Sequence, residues 1–147
     1  HRVNNVEELI QRYDESGTRT MILQQVIESN HQYHCIVIGG RKTLLMPYSL
    51  ETGRYYETDM DEDVSRRMTE VALQIADIYG YDINMTEFVS QGEDVYLINA
   101  TNPSPVIGLN LMTETQFNWI CEEIAELAAL RTGNPAPLHM PVRLSSL

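Results

Sequence analysis

Two pairs of apolar runs, each closed by a glycine turn, constrain this chain more than any other feature in it. YHCIVI (33–38) meets Gly39-Gly40 and is followed by a run from Lys42 to Tyr48. INMTEFV (83–89) and VYLINA (95–100) flank Gln91-Gly92-Glu93. Glycine reaches the positive φ that tight hairpin turns require, and a hairpin joins its two strands antiparallel. A further run, RTMILQQVI (19–27), reads as a strand, and residues 49–60 as a loop with a short extended piece.

Helical periodicity fills the gaps. Val6, Leu9, Ile10 and Tyr13 form one stripe, and Asn5 followed by Glu8 resembles a capping box, so a helix is expected over 5–14, closed near Gly17. Val64, Met68, Val71, Ile75 and Ile78 recur at helical spacing, with Asp61 or Asp63 as cap and Gly80 as stop. Thr113 with Gln116 opens a last helix carrying Phe117, Ile120, Ile124 and Leu127 on one face, ended by Thr132-Gly133-Asn134-Pro135. The expected class is α+β: a mainly antiparallel sheet with helices packed on one side. One domain is expected over 1–134, with a loose, proline-bearing tail over 135–147.

Composition narrows the functions. There are 21 Asp+Glu against 10 Lys+Arg, a net charge of -11. Lys42 is the single lysine, and the only basic pairs are Arg41-Lys42 and Arg66-Arg67. Nucleic-acid surfaces displace counterions with clustered basic residues, so none is expected. No apolar run reaches the roughly 18 residues of a membrane span, and HRVNNVEELI at the start does not read as a secretory leader, so a cytoplasmic location is expected. The chain begins at His1 without Met and reads as trimmed or processed. Cys35 and Cys121 lie outside any zinc spacing and read as buried, reduced thiols. Asn84-Met85-Thr86 and Asn99-Ala100-Thr101 match a glycosylation pattern but fall within strands and read as chance.

The residues that could carry chemistry lie in DINMTEFVSQGEDVYLINATNPSP (82–105). Ile83, Met85, Glu87 and Val89 share one face of the first strand, and Val95, Leu97 and Asn99 one face of the second. With a three-residue turn these faces coincide and Glu87 lies near Leu97. Glu87 and Asn99 then interrupt an apolar surface, with Asn102 at the strand's exit. A carboxylate there costs several kcal/mol unless it is paired, solvated or metal-bound. Converging carboxylate and amide oxygens suit a hard cation such as Mg²⁺. The simpler alternative is a glutamate paired with an arginine at a sheet edge. His31, His34 and Cys35 do not make a tidy metal triad, Asp59, Asp61, Glu62 and Asp63 read as a cap and dipole complement, and Trp119 reads as core or interface.

The run GYDINMTEFVSQGEDVYLINATNPSP resembles the magnesium-binding hairpin of ATP-grasp ligases, in which an acid on one strand is followed by an acid and an asparagine-proline on the next. MILQQVIESNHQYHCIVIGG (21–40) resembles the segment that supplies the adenine-contacting hinge and the strands after it, as in ribosomal-protein glutamate ligases and glutathione synthetases. The resemblance spans about residues 4–132. It implies the C-terminal lobe of a carboxylate-amine ligase that uses ATP and Mg²⁺ to form an acyl phosphate. Gln24, Gln25, Val26 and Ile27 would lie against adenine, and Asn30 would fall near the ribose. Glu87 matches the first metal carboxylate, Asn102 the metal-binding asparagine, and Asn99 lies near the second metal acid.

The chain departs from that pattern in three places. Asn99-Ala100 stands where an acid is expected, His34 stands where an arginine is usual, and no arginine lies near Pro47-Tyr48, where Lys42 or Arg41 would have to substitute. The implied partners are a nucleotide, a small carboxylate and amine, and an N-terminal lobe or longer parent chain, with a homo-oligomer also open. The competing reading is a non-catalytic ATP-grasp-derived module that binds a nucleotide or a protein.

Overall fold

The computed structural model describes residues 1–29 and 31–133. The tail expected over 135–147 and the ribose candidate Asn30 lie outside the described residues. The elements run α1 (Val6–Ser16), β1 (His31–Ile38), β2 (Lys42–Ser49), β3 (Arg54–Tyr55), α2 (Glu62–Tyr79), β4 (Ile83–Gln91), β5 (Asp94–Asn99) and α3 (Glu114–Gly133). The strands form one five-stranded sheet in the order β3-β2-β1-β4-β5, and every pairing is antiparallel. No described helix is long and apolar enough to cross a membrane.

The helix ends follow from local chemistry. Asn5 Oδ1 accepts from the Glu8 amide at 2.8 Å, while Glu8 reaches back to the Asn4 amide at 2.9 Å. Asp61 caps α2 by accepting from the Val64 amide at 3.0 Å, and Gly80 ends it in the left-handed region at φ 66. At α3 the box is reciprocal: the Gln116 amide donates to Thr113 Oγ1, and the Thr113 amide donates to Gln116 Oε1.

The segment 19–27 forms no strand. Residues 20–29 have no ladder partner; Met21, Ile22, Leu23 and Val26 stay exposed, and side-chain bonds alone tie the segment down. Gln24 Nε2 donates to the Ile98 carbonyl, Gln91 Nε2 to the Glu28 carbonyl, and Ser29 Oγ to the Ser90 carbonyl. β-Propensity without a neighbouring strand leaves the backbone to water.

The helices also divide between the two faces of the sheet instead of sharing one. Cys35 and Val37 of β1 pack with Phe88 against Met68, Ala72 and Ala76 of α2. Ile36 and Ile38 pack with Met46 and Met85 against Ile120, Ile124 and Leu127 of α3. The cause is the unbroken run CIVI in the central strand. With no polar face, β1 must be covered on both sides. Of the two thiols, Cys35 is buried among apolar neighbours and pushed up to about 12, whereas Cys121 is exposed.

Register at the second hairpin differs from simple alternation. The loop is Gly92-Glu93, and Ser90 pairs with Val95, Val89 with Tyr96 and Phe88 with Leu97. The next residue, Glu87, pairs with Asn99, so Ile98 is an extra residue in a β-bulge. Val95 therefore packs beside Phe88 on the α2 side. The bulge returns Asn99 to the opposite face, next to Glu87.

Candidate functional site

Glu87 and His34 are register partners on β4 and β1, and Met46 faces His34 from β2. All three lie on the α3 side of the sheet, beyond the apolar cluster of Ile36 and Ile38. Here the sheet surface turns polar. His34 Nε2 is 3.8 Å from Glu87 Oε2, and Asn99 Nδ2 donates to Glu87 Oε1 at 3.1 Å. Gln32 Nε2 lies 3.0 Å from His34 Nε2, and His34 Nδ1 lies 2.8 Å from the Tyr55 hydroxyl. Tyr48 stacks on the imidazole at 4.6 Å, and Tyr55 meets both rings edge-on.

The network fixes a tautomer. Tyr55 Oη donates to Met85 Sδ at 3.5 Å, so it accepts from His34 Nδ1–H, and Nε2 accepts from Gln32. Burial pushes the imidazole below its usual 6.5, while the Glu87 carboxylate pulls it back up; burial wins. Burial, with Tyr48 and Glu87 nearby, pushes the Tyr55 hydroxyl up to about 12.

The depressed His34 pKa sets a sign. The unfolded chain takes up a proton near 6.5 that the folded chain refuses, so stability contributed by neutral His34 is full above pH 6.5 and is lost as pH falls below it. Urea unfolding at pH 7.5 and 5.5 should show a larger loss for the native chain than for His34→Gln. Equal losses would remove His34 as the cause.

The other candidates are placed as follows. Gln24, Gln25 and Val26 are exposed and Ile27 is half-buried, with Gln24 bonded to the carbonyl of Ile98, the residue before Asn99. The Asn102 carbonyl accepts from the Met85 amide, so Asn102 pairs two residues along β4 from Glu87, roughly 7 Å. Its Oδ1 accepts from the Ser104 amide, and Asn99 Oδ1 from the Thr101 amide. Lys42 is not brought to this cluster. It lies four residues along β2 from Met46, roughly 13 Å, and pairs with Glu123 of α3 at 3.2 Å. Of the 59–63 run, Asp61 caps α2 and Asp63 pairs with Arg66.

Sequence reasoning missed Gln32, Tyr48 and Tyr55. Tyr48 and Gln32 were accessible in principle, since the Gly39-Gly40 turn sets the register that opposes them. Tyr55 lies in a two-residue strand with no periodicity to betray it. Asn84 was also missed as a structural residue. It is fully buried, its amide donates to the Ala100 carbonyl, and its Oδ1 accepts from the Asn102 amide, so its glycosylation pattern is buried inside the fold.

The antiparallel sheet covered by one helix on each face has the ATP-grasp fold, which it shares with two solved structures. The chain superposes on D-alanine–D-alanine ligase from Bacillus anthracis, solved in complex with ATP, with a TM-score of 0.66 and 11% identity over 89% of this chain and 47% of that one. It also superposes on the macrocyclase MdnB from Microcystis aeruginosa MRC, with a TM-score of 0.51 and 15% identity over 86% of this chain and 46% of that one. The chain thus spans about half the length of the solved structures it matches. No family model and no curated protein sequence matches it.

Proposed function

We propose that this chain is the nucleotide-binding C-terminal lobe of an ATP-grasp-type carboxylate-amine ligase, with Glu87 as its one metal carboxylate. The observation that carries the reading is the contact of Glu87 with Asn99 across the bulge, in a fold shared with a ligase solved with ATP. The donor set suits a hard cation: one carboxylate, a second side chain able to turn an amide oxygen toward it, and Asn102 further along the strand. Glu87 and the Asn99 and Asn102 amides would hold Mg²⁺, which would compensate triphosphate charge when bound. The segment from Gln24 to Ile27, anchored beside Asn99 through Ile98, would lie along the base, with Asn30 toward the ribose. Ile22 at 82% exposure and Leu23 at 68% on that segment support a second lobe as its covering partner. The protein's share in catalysis would be positioning and charge compensation for attack of a carboxylate on the γ-phosphate.

A specific observation favours a second reading, a nucleotide- or protein-binding module without turnover. Asn99 donates a hydrogen bond to Glu87 where a second acid would share a cation, and neutral His34 stands where a permanently charged arginine is usual. Calorimetry with ATP, with and without Mg²⁺, on the lobe together with its neighbouring sequence separates the two. Metal-dependent binding weakened about tenfold or more by Glu87→Ala supports the first reading. Binding indifferent to both sinks the metal role and leaves the module.

A further inference from the structure

The outer edge of β2 is only partly paired. The Tyr56 amide donates to the Pro47 carbonyl and the Gly53 amide to the Ser49 carbonyl, so residues 47 and 49 turn their backbone groups outward. By the alternation of an antiparallel strand, Thr43 and Leu45 face outward as well. No other described residue donates to, or accepts from, their backbone groups, because β3 pairs only with Tyr48 and Ser49. Four unpaired donors and acceptors in a row are a template for another strand.

The side chains around this edge make a seat for one. A groove of about 240 Å³ runs along it, lined mainly by apolar groups, among them Leu44, Leu45, Pro47, Met60 and Trp119. Leu44 leans to the α3 side and Leu45 to the α2 side, so the groove straddles the edge. Its rim is acidic: residues 57–63 hold five acids and no base. Glu57 is engaged with Thr113 Oγ1 and Asp61 with the α2 amide, whereas Asp59 points its charge to solvent. A second copy would bring the same acids, and another net charge of -11, against this rim.

We propose that the β2 edge is a docking site for an extended peptide segment of a partner protein, one that alternates apolar and basic side chains. The peptide adds a strand to the sheet through Thr43 and Leu45, seats its apolar side chains on the α3 side against Leu44 and Trp119, and turns its basic side chains to the other side, toward the acidic rim. Lys42 does not oppose it, because Glu123 holds that ammonium.

Amide hydrogen exchange tests this with a short synthetic peptide of alternating lysine and valine. The Thr43 and Leu45 amides should slow about tenfold on adding peptide, while Leu44 and Met46, already bonded to β1, should not change. Thr43→Pro removes one outward donor and should weaken binding, read as loss of the peptide-dependent protection at the Leu45 amide. The Glu57→Gln/Asp59→Asn double variant leaves the strand intact and should weaken binding several-fold, with a shallower salt dependence. The proposal is overturned if the peptide gives no protection, or if a glutamate-valine peptide protects equally. It is also overturned if the two amides are already protected without peptide, independently of protein concentration (the chain's own C-terminal residues) or with it (a second copy).

Discussion

Replacing Phe88 by alanine should lower the unfolding free energy by about 4 kcal/mol, within the roughly 3–5 kcal/mol that truncating a buried phenylalanine costs. The ring is 1% exposed and sits between β1 and α2, against Cys35, Val37, Met68, Ala72 and Ala76. Its neighbours are backbone-tethered or already small, so the site cannot collapse around the loss. For a chain of this size the shift corresponds to about 10 °C in Tm. Urea unfolding monitored by circular dichroism reads the change, and Phe88→Leu, which keeps most of the volume, should cost much less. A loss under about 1 kcal/mol would mean that α2 does not pack on this face.

Exchanging Asn99 for aspartate should produce the other large effect, in two opposite directions. Without metal, a carboxylate takes the place of an amide that now donates to Glu87 Oε1 at 3.1 Å, and Glu87 is only 23% exposed. A donor is lost and two like charges meet, a cost of about 2 kcal/mol at neutral pH. The pair then holds a proton more tightly when folded than when unfolded. The deficit should therefore shrink below about pH 4.5 and grow as pH rises through the pair's raised pKa. Millimolar Mg²⁺ should restore much of the loss and bind Asn99→Asp at least about tenfold more tightly than the native chain, because a second hard anion faces the ion. Thermal melts with and without Mg²⁺, at pH 7 and pH 4, read both halves. A variant as stable as the native chain and blind to Mg²⁺ would separate Glu87 from any cation role.

The legible parts of the fold were those in which one residue type has one physical use. The Thr113–Gln116 and Asn5–Glu8 caps, Gly80 and the Gly39-Gly40 turn each sit where their chemistry demands, and the α2 stripe is plain. What stayed hidden depends on neighbours. RTMILQQVI has strand composition yet no partner strand. The run CIVI could not say which helix would cover which face. A three-residue turn would set Glu87 beside Leu97; the two-residue loop and the extra Ile98 instead move Val95 to the far face and bring Asn99 to the near one. The aromatic shell of Tyr48 and Tyr55 around His34 requires three strands to be in register at once, which no local pattern announces.

The extra residue at Ile98 also governs how this hairpin should be matched to its relatives. Any comparison that runs β4 and β5 in step, gap-free, will assign Glu87 the wrong partner and lose the amide that touches it. The one-position offset belongs within the second strand, not in the Gly92-Glu93 loop where insertions are usually put. Deleting Ile98 would close the bulge and leave Asn99 directly opposite Glu87 in regular register, removing the bend and extra twist that the additional residue gives the strand's exit.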